Sequence, residues 1–299
     1  MVLFSSRNGT IWVFTSDISS LLVLLQDDFN FETVLRLLDN PREQQKVLGI
    51  KDIPHRIKTM VNILFTRVVL NAIIEGNIDD PWKTIQFSHN KYGKPLLEAN
   101  GQKIQFNSST SDKILSIAIE FSSINSPIGI DLSHSRQTSI SDTEFMEQFL
   151  PMFHPREHRK LIECSPETRY FMFNHLWTLK EALTKLLGCG LNIDLSDVCF
   201  DVEGSMSPDK YNSKQEQSIE EFSVVERNWF RNVEVDIEGL VRQDNEFVSA
   251  LNKIEFHTYS TVVRQANFDE LPVILSLVSQ NSDSTVSSID VNMEKLLNL

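Results

Sequence analysis

The stretch Trp177-Thr178-Leu179-Lys180-Glu181-Ala182-Leu183-Thr184-Lys185 lies in the best-bounded helix that this sequence encodes. Ser165 stands where an N-cap is needed, Pro166 fits the first helical position and Glu167 suits the positive end of the helix dipole. Gly188 is a natural stop at the far end. Between these limits the helical repeat sets Glu181 and Lys185 one turn apart on one face, with Trp177 a turn earlier and Lys180 adjacent. Taken alone, Glu followed by Lys at this spacing is a common surface salt bridge worth about 0.3–0.5 kcal/mol. Its neighbours leave the cluster neither wholly solvated nor wholly core.

The rest of the chain alternates strand-like and helical patterns. Ile11–Phe14 reads as a first strand, and Phe31–Leu38 and Arg56–Ile74 have helical spacing, with Met60, Ile63, Leu64, Val68 and Ala72 on one face of the latter. Lys91-Tyr92-Gly93-Lys94-Pro95 is a turn, since Pro95 excludes helix just before it. Ile114–Phe121 and Ile128–Leu132 read as strands joined by a turn-rich loop, and Val198–Val202, Glu255–Val263 and Val273–Val278 as later strands. Ser205–Glu221 reads as a polar loop. The Ser/Asn/Asp-rich end, residues 281–299, reads as a flexible tail.

Charge is unevenly placed. The net charge is −13, yet residues 41–70 carry six basic side chains against two acidic ones, while residues 191–299 carry 20 acidic and 8 basic. That pattern argues against general nucleic-acid binding and leaves room for a local phosphate-binding patch near the front. Three cysteines, Cys164, Cys189 and Cys199, with no CxxC spacing predict a reduced, cytoplasmic protein without a zinc site. Residues Met1–Asn8 lack the pattern of a signal peptide, and the continuous apolar runs are too short to span a bilayer.

Three further segments carry chemistry. Asp131 closes the apolar run Ile128-Gly129-Ile130-Asp131. It suits either a turn at the strand end or a metal ligand, because magnesium takes few carboxylates and completes its shell with waters and substrate phosphates. Gly129 offers a close approach to the backbone. Gly93-Lys94-Pro95 offers backbone groups for a base and an ammonium for a phosphate, although such a turn also arises by chance. Phe106-Asn107-Ser108-Ser109-Thr110-Ser111 is a hydroxyl-rich turn before a strand, and taken alone it reads as an ordinary loop.

In this order, Gly93-Lys94-Pro95, Phe106–Ser111, Gly129-Ile130-Asp131 and Trp177–Lys185, the segments resemble the 4′-phosphopantetheinyl transferase superfamily of the Sfp type. The likeness covers about residues 40–200 and leans towards the eukaryotic branch that activates aminoadipate reductase. It implies an α+β pseudo-dimer of two similar halves with coenzyme A between them. Residues 1–125 would carry the adenine and 3′-phosphate side, and residues 126–280 the magnesium and catalytic side. The implied reaction moves the phosphopantetheine arm of coenzyme A to a serine of an apo carrier protein or carrier domain. The resemblance further implies a monomer and a role in lysine biosynthesis, with fatty-acid or other synthases as additional carriers.

Carried over residue by residue, Asp131 and Glu181 become magnesium ligands, and Glu181 also the base for the carrier serine. Lys180 and Lys185 would neutralise phosphate charge, Lys185 with a catalytic role. Gly93 and Lys94 would meet the adenine, Lys46 the 3′-phosphate, with Arg56 and Lys58 as further candidates. Asn107, Ser109 and Thr110 would line the coenzyme A site. Thr110 stands where the family usually has histidine, and Ser133 where bacterial members have a third acid. These departures motivate one rival reading, a non-catalytic protein that binds a carrier domain or coenzyme A.

Overall fold

The computed structural model of the chain describes residues 10–75, 80–111, 113–121, 126–133, 141–202, 220–231, 233–243, 245–249, 251, 255–264, 272–282 and 284–299. Strand β1 (Thr10–Asp17) leads into α1 (Leu21–Leu24), α2 (Asp28–Leu35), α3 (Pro41–Leu48) and the long α4 (Ile53–Glu75). The chain continues through β2 (Ser88–His89), β3 (Pro95–Ala99), β4 (Gln102–Thr110), β5 (Ile114–Phe121) and β6 (Ile128–Leu132). Helices α5 (Asp142–Phe149), α6 (Pro155–Glu163) and α7 (Pro166–Leu187) precede β7 (Cys199–Asp201), β8 (Phe222–Val225), β9 (Phe230–Arg231) and β10 (Glu234–Asp236). Helices α8 (Glu238–Arg242) and α9 (Glu246–Ser249), strands β11 (His257–Arg264), β12 (Val273–Ser279) and β13 (Thr285–Val291), and α10 (Met293–Leu297) complete the order.

The architecture is α+β, built on two main sheets. A seven-stranded sheet has the order β2-β3-β4-β5-β1-β13-β8, and a four-stranded one the order β6-β12-β11-β9. Helix α4 backs the first: Ile57, Met60, Val61, Leu64 and Phe65 join Phe14, Ile117 and Ile119 in one core. Helix α7 covers the second. There Gly129 of β6 faces the helix so closely that a Cβ would sit 1.9 Å from the Ala182 carbonyl oxygen. Gly129 therefore serves helix–strand packing, and the expected approach of a ligand to this backbone is replaced by that of α7.

The two sheets meet where β4 lies against β6. Strand β6 is an edge strand, and such a strand needs partners for its outward amides. Side chains of β4 supply them: Ile130 N donates to Asn107 Oδ1 at 3.1 Å and Leu132 N to Ser109 Oγ at 3.1 Å. Residues 106–110 are thus the end of a strand and not the loop that their hydroxyl content suggests. A second link is the buried Glu120 of β5, which accepts from Ser279 Oγ (2.9 Å), Asn281 Nδ2 (3.0 Å) and Ser284 Oγ (3.1 Å). Burial holds its carboxyl above the usual range, with those hydrogen bonds opposing.

Two expectations about domain organisation need correction. The change of sheet does fall between β5 and β6, but β8 and β13 return to the first sheet, so residues 126–280 are not a self-contained half. Nor is 281–299 a flexible tail. Strand β13 runs parallel to β1 and antiparallel to β8, and α10 buries Met293 and Leu297 in the first core. The polar composition misleads because β13 has ladder partners on both sides, and Asp290 Oδ1 accepts from Arg227 Nη2 at 2.6 Å. Residues 203–219, most of the polar loop expected at Ser205–Glu221, lie outside the described residues.

Candidate functional site

Helix α7 follows the limits that its sequence sets. Pro166 occupies its first turn, and Gly188 ends it in the left-handed region at φ 66°. The Ser165 hydroxyl lies 3.0 Å from the Thr168 hydroxyl and makes no cap bond to the backbone.

One face of α7 follows one row of the second sheet. In register across the strands stand Asp131, Ser276, Ser260 and Phe230. Over them lie Lys185, Thr178 and His175: Lys185 Nζ is 2.6 Å from Asp131 Oδ1, Thr178 Oγ1 2.7 Å from Ser276 Oγ, and His175 Nε2 3.0 Å from Ser260 Oγ. Thr178 Oγ1 donates to the His175 carbonyl at 2.9 Å, and Ser260 and Ser276 are 3.0 Å apart. The hydroxyl directions then require Nε2 of His175 to donate. His175 Nδ1 is buried and has no partner among the described residues. Burial lowers the imidazole to about 4, so the ring is neutral near pH 7.

The open end of this row is the candidate site. Asp131 is 5% exposed. Its Oδ1 accepts from Lys185 Nζ and from Ser109 Oγ at 2.8 Å, and Lys185 also donates to Ser109 Oγ at 3.1 Å. Its Oδ2 is buried and accepts no hydrogen bond among the described residues. A buried carboxylate oxygen left so is unfavourable unless a cation, a water or a hydrogen-bond donor faces it. Half-buried Glu181 adds a second carboxyl. Burial raises its pKa, the Asp131 charge raises it further and Lys185 opposes both.

Among the described residues two carboxyls share one ammonium here, which leaves the described cluster short of positive charge. An orphaned buried oxygen and a carboxyl strained by a like charge fit a divalent cation. Among the described residues no group of three or more His, Cys, Asp or Glu forms a closed cage. Magnesium suits such a sparse donor set, because waters and substrate phosphates complete its shell.

The other residues singled out in the sequence divide. Lys180 points away from this cluster. Its Nζ is fully buried, paired with Glu157 Oε2 at 2.8 Å, and donates to the carbonyls of Leu195 (2.8 Å) and Val198 (2.6 Å). All its donors are directed into the second core, so the expected phosphate contact is corrected to a structural one. Helical geometry explains this: adjacent residues face about 100° apart, and Glu181 takes the side towards Asp131.

Lys94 is corrected in the same way. Its ammonium donates to the Leu186 carbonyl at 2.9 Å and lies 3.5 Å from that of Ile128, so it is turned from any phosphate. Gly93 (φ 87°) is an exposed turn residue with open space around its Cα. Asn107 and Ser109 hold β6 and Asp131, as described above, in place of lining a ligand directly. Thr110 ends β4 half-buried, opposite Leu115. Ser133 is buried and accepts from Ile274 N at 2.9 Å, extending the β6–β12 pairing.

Lys46 is exposed on α3, and Lys58 is half-buried on α4, against which α3 packs. Arg56 Nε donates to the Ile50 carbonyl at 2.7 Å. Sequence reasoning missed Asn90, which accepts from Tyr92 N (2.9 Å) and Lys94 N (2.8 Å) and shapes the whole turn. An asparagine three residues before Gly93 was the available signal, since its side chain commonly closes such turns. It also missed Ser260 and Ser276, which only the register of β11 and β12 brings to Asp131.

Comparison with known proteins bears on this geometry. A family profile described as the 4′-phosphopantetheinyl transferase superfamily matches residues 127–246, from the start of β6 through α7 and beyond. The chain is 27% identical over 180 residues to the L-aminoadipate-semialdehyde dehydrogenase-phosphopantetheinyl transferase of Saccharomyces cerevisiae, covering 59% of this chain and 62% of that protein. It is 30% identical over 195 residues to the protein of the same name in Candida glabrata, covering 64% and 70%. It is 30% identical over 159 residues to 4′-phosphopantetheinyl transferase gsp of Aneurinibacillus migulanus, covering 53% and 60%. The matched stretches thus span 62% and 60% of the Saccharomyces and Aneurinibacillus proteins' own length.

Proposed function

This chain belongs to the 4′-phosphopantetheinyl transferase superfamily, and from that premise we propose that it transfers the 4′-phosphopantetheine arm of coenzyme A to a serine of an apo carrier protein or carrier domain. The observation that carries the reading is Asp131, buried, with one oxygen paired to Lys185 and the other without a partner among the described residues, beside the raised carboxyl of Glu181.

In the proposed step the carrier serine Oγ bonds to the β-phosphorus of coenzyme A. The bond from that phosphorus to the bridging pyrophosphate oxygen breaks, and adenosine 3′,5′-bisphosphate leaves with the electron pair. The serine proton passes to Glu181, the half-buried carboxyl beside Asp131 and Lys185. Asp131 fixes the Lys185 ammonium, which then offsets charge developing on the phosphoryl oxygens. A magnesium ion held by Asp131 and Glu181 would neutralise pyrophosphate charge. Ser109, with its donor on Asp131 and its acceptors on Leu132 N and Lys185, keeps both side chains in one orientation. At the other end of the ligand, we propose the Gly93 and Lys94 backbone for the adenine, Lys46 and Lys58 for the 3′-phosphate, and the Thr110 hydroxyl for the pyrophosphate.

Aminoadipate reductase of lysine biosynthesis is the carrier that we propose first, because two relatives bear that substrate in their names. Fatty-acid and other synthases are the alternatives. We propose a cytoplasmic monomer. The three cysteines are free, and both carboxyls of the site come from one chain. The site's paired carboxyls also speak against a protein that merely binds carriers. Incubating the protein with an apo carrier domain, coenzyme A and magnesium should add one phosphopantetheine arm to the carrier's mass, at its serine. An unchanged mass across a panel of apo carriers would overturn the reading.

A further inference from the structure

We infer that the turn from Asn90 to Lys94 is a clasp on the two elements that carry the site, and that Lys94 is a positioning residue for the transfer, acting through the ends of β6 and α7. The second part of this inference rests on the function proposed above. Lys94 Nζ reaches the Leu186 carbonyl, one residue past Lys185, and the Ile128 carbonyl, three residues before Asp131. One ammonium therefore spans the strand and the helix whose separation sets the 2.6 Å contact between Asp131 and Lys185. A helix C-terminus leaves its last carbonyls without partners, and a cation there also meets the negative end of the dipole.

Asn90 adds a second hold, since its Nδ2 donates to the Gly188 carbonyl at 2.9 Å. The fit is close: a Cβ on Gly188 would lie 2.9 Å from both Asn90 Nδ2 and Lys94 Cδ. The same turn grips a third element. The Tyr92 ring packs on Phe247 with centroids 4.9 Å apart, and its hydroxyl bonds to Glu246 of α9. Strand β6 has a ladder partner on one side only, β12, and α7 ends at Gly188, so both elements carry backbone carbonyls near this end that neither ladder nor helix satisfies. The turn belongs to the first half of the sequence, so the clasp ties the segment expected at the adenine to the residues expected at the pyrophosphate. Burial brings the Lys94 ammonium down to about 8, with Cys189 opposing, because the group is taken out of water.

Lys94→Met keeps the aliphatic stem and removes the donors. Its hydrogen exchange, and its kcat and KM for coenzyme A with an apo carrier, should be compared with the unaltered protein. The clasp predicts exchange at the amides of the last turn of α7 faster by about tenfold, as for a lost helix cap. It predicts kcat lower by about tenfold or more, because small misplacements of reacting groups are amplified, with KM changed by less as the Gly93 and Lys94 backbone shifts with the turn. Asn90→Ala should move the same quantities the same way by less, and it decides the matter if Lys94→Met does not fold. A raised KM with unchanged kcat and exchange would make Lys94 a direct ligand contact and overturn the clasp, as would no change in any of the three. If the unaltered protein transfers nothing, the proposed function fails, while the exchange rates still decide whether the clasp exists.

Discussion

Replacing Lys180 by methionine should destabilise this protein without disarming it. Lys180 and Glu157 are both fully buried, and the ammonium is held by that carboxylate and by two carbonyls. Methionine fills most of the volume but leaves the Glu157 carboxylate in the core, where the donors that remain among the described residues are Phe200 N (2.8 Å) and His154 N (2.8 Å). Breaking a buried ion pair by removing one partner is destabilising by about 3–5 kcal/mol. At about 2–4 °C per kcal/mol for a large domain, the melting temperature should fall by on the order of 10 °C. Glu157→Gln added to Lys180→Met removes the stranded charge and should recover part of that loss. Thermal unfolding of the two single variants and the double variant measures this coupling. Transfer kinetics well below the melting point should keep KM for coenzyme A nearly unchanged. An unaltered melting temperature together with a KM raised about tenfold would refute the reasoning and return Lys180 to the phosphates.

Other outcomes follow from the same geometry. Glu181→Gln should lower kcat by about 10²–10⁴-fold, the usual contribution of a general base, with the fold intact by circular dichroism. Gly129→Ala should destabilise by about 1–3 kcal/mol or prevent folding, because the new methyl meets the backbone of α7; an unchanged denaturant midpoint would contradict the packing described. His175 is held near 4 when folded and titrates at about 6.5 when unfolded. The unfolded chain therefore binds more protons between those values, and stability falls as pH drops from about 6.5 towards 4, by about 3 kcal/mol over the full window. Denaturation series from pH 4.5 to 7 should show a slope that His175→Gln reduces; equal slopes in the two proteins would remove His175 from this role.

The local pattern of the sequence carried much of this fold. The long helices, the turn at Gly93 and strands β5 and β6 follow from periodicity, capping residues and punctuation, all of which act within a few residues. Strands β4 and β13 were hidden because their polar side chains are satisfied by distant partners: Asn107 and Ser109 by β6, and Asp290 by Arg227. The site divides along the same line. Asp131, Glu181 and Lys185 were singled out by the ordered segments that carry the family resemblance, since spacing alone left a surface salt bridge and a strand-end turn open. The directions of Lys94 and Lys180 could not, since a lysine stem reaches either solvent or a buried carbonyl, and tertiary packing decides which. Gly129 was noticed for the right reason, close approach, but the approaching group is a helix backbone.

The site proposed above holds magnesium and pyrophosphate through Asp131, Glu181 and Lys185. Calorimetric titration of coenzyme A, with and without magnesium, into the unaltered protein and into Asp131→Asn tests it most directly. Magnesium should tighten coenzyme A binding in the unaltered protein, and Asp131→Asn should lose this gain while its fold is retained. Equal coenzyme A affinity with and without magnesium in the unaltered protein would contradict the proposed site.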